Sequence, residues 1–170
     1  MRSIKLVTHD PDWARLYEDE VARLCLLLSK LVVSTHHIGS TAINGIKAKP
    51  VIDILIEVTC LRDLEKHAGD FKNLGYEAKG EYGIKGRRFF QKGGDERTHH
   101  LHIFESGNAE IERHRLFVAF MNAHPDKAEE YEALKTALSI EHKNSAEDYS
   151  QGKSAFIRAV DAEAIKWKNN

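Results

Sequence analysis

The chain has 170 residues and a hydrophobic fraction of 42%, enough for one core and too little to call for a second domain, so a single domain over residues 1–170 is expected. Its 25 Lys and Arg against 26 Asp and Glu leave a net charge of -1, which excludes a general attraction to nucleic acid or anionic membrane and makes any phosphate recognition local. The opening MRSIKLVTHDPDW lacks an apolar core of leader length, and no later apolar run approaches the roughly 20 residues of a membrane span, so no membrane contact is expected and the cytoplasm is the expected compartment.

Asp10 and Pro11 read as the N-cap and first residue of a helix whose apolar positions, Trp13, Leu16, Tyr17, Val21, Leu24, Leu28 and Leu31, recur at helical spacing. Val32, Val33, His36, His37 and Ile38 then form a β-rich stretch ending in a Gly39-Ser40 turn. The run Val51 to Val58 is apolar apart from Asp53 and Glu57, as expected of a central strand. Alternation puts Val51, Asp53, Leu55 and Glu57 on one face of it and the isoleucines on the other.

Leu61 to Leu74, closed by Gly75, reads as a helix. Tyr76 to Tyr82 and Arg87 to Gln91 read as strands, and Gly93-Gly94-Asp95 turns the second into an antiparallel partner from Thr98 to Phe104. From Ala109 the pattern is helical, with breaks at His124-Pro125 and Asn144-Ser145, so the C-terminal third is expected to be a helical bundle or cap. Cys25 and Cys60 have no CxxC spacing and read as buried free thiols. The fold class is α+β, and the oligomeric state is not legible.

Gly39, Ser40 and Thr41 combine an unhindered backbone, free N–H groups and two hydroxyls, the means to cradle phosphate oxygens. On this reading Gly39→Val weakens nucleotide binding and leaves the fold largely intact. Asp53, a carboxylate inside a central strand, needs a compensating charge, and a divalent cation or one of Lys47, Lys49, Arg87 and Arg88 can supply it. His100 and His102 share one strand face and, placed beside Asp53, would make a mixed metal set. Arg87, Arg88 and Lys92 flank the hairpin turn as a candidate phosphate clamp. His67, His114, His124 and His142, with Lys135 and Lys153, read as structural or solvated helical positions.

A strand leading through Gly-Ser to a second strand that bears a carboxylate resembles the nucleotidyltransferase superfamily pattern. More closely, HIGSTAINGIKAKPVIDILIEV, RRFFQKGGDERTHHLHIFE, AHPDKAEEYEALK and KSAFI are similar to the GrpB-like family, nearly throughout the chain. The resemblance implies a nucleotidyltransferase-like mixed sheet backed by helices, with Gly39 and Ser40 at the phosphate loop and Asp53 as first metal-binding carboxylate. Leu55 departs from it where a second carboxylate is expected, and histidines stand where a third is expected.

Two functions follow as expectations. One is a metal-dependent nucleotidyltransferase using Mg or Mn, with Zn also suited to the imidazoles, and with Asp53 catalytic. The other is a catalytically inactive module binding a nucleotide, a coenzyme phosphate or another phosphate-bearing small molecule.

Overall fold

The structure is a computed structural model describing residues 3–170; Met1 and Arg2 lie outside the described residues. Helix α1 (Asp12–Leu28) leads into strand β1 (Val32–Ile38), and a short 3-10 turn at Ser40–Ala42 begins the connection to β2 (Ile52–Val58). The chain continues through α2 (Ala68–Asn73), β3 (Tyr76–Ala78), β4 (Arg87–Lys92) and β5 (His99–Glu105), then closes with α3 (Ala109–Ala123), α4 (Pro125–Glu141) and α5 (Ala146–Lys168). The expected α+β class with a helical C-terminal third is what the chain forms. Among the described residues, no helix is long and apolar enough to cross a membrane.

The five strands lie in the order β1-β2-β5-β4-β3. β2 and β5 run parallel, and every other pair is antiparallel, so the sheet is mixed. The expected β4–β5 hairpin is present, and its register sets Phe89 opposite His102 and Gln91 opposite His100. On the other side of β5, Asp53 stands opposite His100 and Leu55 opposite His102.

Strand alternation gives the sheet two different faces. Ile52, Ile54, Ile56, Val58, Leu101 and Ile103 pack against Trp13, Leu24 and Leu28 of α1. On the opposite face, Leu55 and Phe104 pack with Ile38 of β1 and Ile111 of α3. Ile43 and Ile46, from the connection after β1, anchor the three C-terminal helices through Phe120, Met121, Tyr131 and Val160. That connection, β2 and the helical third therefore enclose the space above Asp53.

Three expected elements take a different form. The helix expected from Leu61 to Leu74 is a 3-10 turn over Leu61–His67 followed by only six α-helical residues. Only Leu64 and Phe71 of this stretch are buried, and Gly69 lies inside it, so packing does little to regularise a weak helix. The strand expected as far as Tyr82 ends at Ala78, because Gly80, Tyr82, Gly83 and Gly86 all adopt positive φ and fold residues 79–86 into a loop. The cysteines are free as expected, but half-buried rather than buried.

Candidate functional site

Asp53 sits at the centre of the inner face, with a quarter of its side chain exposed. His100 Nδ1 lies 3.3 Å and His102 Nε2 3.0 Å from the same carboxylate oxygen, Oδ1. Burial alone would raise the carboxyl pKa, but the hydrogen bonds from His100 and His102 outweigh it and hold Asp53 well below the usual carboxylate range. Arg88, one of the expected partners, lies on the opposite face of the sheet.

Arg87 fixes the tautomer of His102. It is buried, and its guanidinium donates to Glu81 O at 3.0 Å, Tyr82 O at 2.6 Å and His102 Nδ1 at 3.3 Å. Because a guanidinium has no lone pair to offer, His102 Nδ1 must accept, and the ring proton resides on Nε2 and is donated to Asp53. The three residues form a directed chain from arginine through neutral histidine to carboxylate. The same chain ties the loop 79–86 to the sheet.

That chain is at odds with the expected metal set. The structure does bring Asp53, His100 and His102 together, but the one lone pair of His102 is used by Arg87, and its Nε2 faces the carboxylate as a donor. Leu55 is sealed in the apolar cluster where a second carboxylate was expected. Among the described residues, no group of three or more His, Cys, Asp or Glu side chains is placed to hold a metal. The donor chemistry therefore does not fit a divalent ion.

The expected clamp is not assembled either. Alternation along β4 points Arg87 to the Asp53 face, while Arg88 and Lys92 point to the other. There Arg88 lines an apolar groove of about 680 Å³ between α2 and β3–β4, and Lys92 Nζ reaches buried Glu20 at 2.7 Å and stands over the Tyr76 ring. Glu20 also accepts from Tyr76 Oη at 2.8 Å, so Lys92 serves the core beneath α1.

Gly39 adopts φ 71° and ψ -172°, and a Cβ built there would stand 2.7 Å from Asp53 Oδ2. The glycine is required by the carboxylate packed against it, which corrects the expectation that Gly39→Val leaves the fold largely intact. Even Gly39→Ala is expected to lower stability by about 1–3 kcal/mol, through positive φ and displacement of Asp53. Denaturant unfolding measures this; an unchanged midpoint would show that the contact with Asp53 is loose. Thr41 is buried and its hydroxyl lies 2.9 Å from His37 Nε2, while the Ser40 side chain hydrogen-bonds Tyr131.

Two cavities meet over this site and share Asp53, His102 and Lys153. The larger, about 700 Å³, combines apolar and aromatic walls, Ile38, Ile84, Phe117, Tyr131 and Ile157, with charged ones that include Glu110, Arg113, Arg158 and Asp161. The smaller, about 290 Å³, is polar and takes Ser40, Thr41, Lys49, His100, Tyr149 and Ser150 as walls.

Lys49 Nζ lies 4.9 Å and Lys153 Nζ 4.6 Å from the centroid of the same ring, that of Tyr149. Burial pushes the Lys153 ammonium down to about 8, and the Lys49 charge acts in the same direction. Lys135 Nζ stands over the Tyr131 ring, donates to Lys47 O at 2.6 Å, and is driven by burial and by Lys153 down to about 7.

Both helical lysines thus depart from the solvated role expected of them. A signal for them was present in the chain: YEALK and YSQGK each set a lysine four residues after a tyrosine, on one helix face.

His114, expected to be structural, lies beside the site. Its Nδ1 donates to Glu110 O at 2.7 Å and its Nε2 accepts from Arg113 at 3.3 Å. Its ring centroid is 5.8 Å from that of His102.

A family model described as GrpB protein matches residues 3–163. The chain is 43% identical to the UPF0157 protein YqkA of Bacillus subtilis, covering 98% of this chain and 49% of that protein, so it spans about half the length of this relative. It is 36% identical to the Glutamate-rich protein GrpB of Alkalihalophilus pseudofirmus, over 91% of this chain and 92% of that one. The crystal structure of GrpB from Enterococcus faecalis superposes with a TM-score of 0.93 at 35% identity, covering 98% of this chain and 100% of that chain. On the match to the family model and the identity to relatives along their length, the chain belongs to the GrpB family.

Proposed function

We propose that this protein binds a phosphate-bearing small molecule of up to nucleotide size without a metal, the phosphate in the polar cavity and the organic part in the larger one. The observation carrying this reading is the pair Lys49 and Lys153, drawn from distant parts of the chain and held against one tyrosine ring beside the hydroxyls of Ser40, Thr41 and Ser150. Two ammonium groups beside these hydroxyls offer donors that converge on one polar cavity. Hydroxyl and ammonium donors in a concave, half-dry setting are the chemistry that phosphate oxygens select.

The reading of a metal-dependent nucleotidyltransferase has less support, because Leu55 removes the second carboxylate and Arg87 occupies the lone pair of His102. Nucleoside triphosphates offered in EDTA, and again with Mg or Mn, separate the two. Binding is expected to raise the melting temperature in EDTA, by an amount corresponding to roughly 2.7 kcal/mol at a hundred times the dissociation constant, with no pyrophosphate released under any condition. Pyrophosphate release that depends on added metal and is abolished by Asp53→Asn would replace this proposal with the transferase.

A further inference from the structure

Lys153 is the second lysine of the phosphate site, and its position also lets it face the organic part of the ligand. It lines both cavities and stands where they join, between the hydroxyls and Lys49 on one side and the apolar walls on the other. Gly152, immediately before it, lets α5 approach α4 so closely that a Cβ there would lie 2.5 Å from Leu138 Cδ2. The lysine is thereby carried on a rigid helix pressed into the bundle.

Lys135 provides an internal contrast: it has the same tyrosine spacing, but it is 1% exposed and its ammonium is committed to Lys47 O. Of the two, only Lys153 is an amine that a ligand in the cavities can reach.

We propose that Lys153 captures the carbonyl carbon of a phosphorylated aldehyde or ketone as an imine. This rests on the phosphate site described above and narrows its ligand class: Lys49, Ser40 and Thr41 hold the phosphate, and the carbonyl lies at the junction. The neutral amine adds its lone pair to the carbonyl carbon, and the carbonyl oxygen takes up a proton to give a carbinolamine. One nitrogen proton thus ends on that oxygen, and the hydroxyl then departs with the remaining nitrogen proton as water, leaving a C=N bond with no oxidant or reductant consumed.

Burial in this cluster holds Lys153 near 8, which at neutral pH leaves on the order of 100-fold more free amine than an ordinary lysine has. Asp53, whose charge draws the proton on Lys153 the other way, lies close enough to stabilise the iminium form once it is made.

The probe is pyridoxal 5′-phosphate, trapped with borohydride at pH 7.5 and read by intact mass and peptide mapping. The expected result is one adduct per chain, on Lys153, formed on the order of 100-fold faster than adducts on exposed lysines. Pyridoxal without its phosphate should label about tenfold more slowly, and inorganic pyrophosphate should protect. Lys153→Arg, which keeps the charge, should abolish the adduct while retaining a native circular dichroism spectrum.

Adducts scattered over surface lysines at rates unchanged in Lys153→Arg, or equal labelling by pyridoxal itself, would overturn the proposal. If Lys153 stays unlabelled while nucleotides still raise the melting temperature in EDTA, the imine falls alone; if neither occurs, the phosphate site falls with it.

Discussion

Asp53→Ala is expected to destabilise the protein by about 3 kcal/mol, more than a typical core truncation of the same size, because it strands the donors pointing at it. His102 Nε2–H would lose its acceptor while Arg87 still occupies Nδ1, so the ring could not change tautomer to compensate. Asp53→Asn keeps one acceptor oxygen and should cost about half as much. Urea unfolding of the three proteins measures both effects. An Asp53→Ala protein within about 0.5 kcal/mol of wild type would mean that the arginine-histidine-carboxylate chain contributes little.

Lowering the pH from 7.5 to 5 is expected to remove a large part of the stability, well before ordinary carboxylates titrate. Burial, aided by the Arg113 charge, holds His114 down to about 4, and burial likewise holds His37 down to about 4. His102 is shifted in the same direction, by burial first. In the unfolded chain these imidazoles take up protons near pH 6.5, whereas in the folded chain they resist to about 4, so the unfolded state binds more protons throughout that window.

The histidine contribution to stability is therefore fully present above about pH 6.5 and falls as the pH drops toward 4, with His114 alone accounting for about 3 kcal/mol. Asp53, held low in the fold, adds a further loss once the pH passes below the ordinary carboxylate range. Thermal melts across this interval, with His114→Gln for comparison, read the slope. A flat profile from pH 7.5 to 5 would contradict the neutral, arginine-capped histidines described here.

The fold was readable wherever periodicity was strong. The apolar stripe of α1, the buried run of β2 and the glycine turn between β4 and β5 each carry their signal within a dozen residues. What failed was local and weak: the stretch after Leu61 has too few buried positions to choose between helix types, and clustered glycines ended β3 early.

Within the site, period-2 geometry puts His100 and His102 on one face, and the parallel pairing of β2 with β5, which no local pattern announces, sets that face beside Asp53. The same rule, applied to Arg87 and Arg88, separates them. The basic residues that do meet over the polar cavity come from the connection after β1 and from α5, more than a hundred residues apart, and no local pattern links them. The lowered pKa of Lys153 arises from that tertiary meeting, and so is absent from any single segment.

The most direct test of the account is calorimetric titration of ADP into the protein in EDTA, repeated with the double variant Lys49→Ala, Lys153→Ala. The site described here predicts binding that is unchanged, within about twofold, when Mg is supplied in place of EDTA, and weakened at least about a hundredfold by the double substitution, the loss of two charge-assisted contacts. Affinity that appears only with a divalent metal, or that survives removal of both lysines, would contradict it.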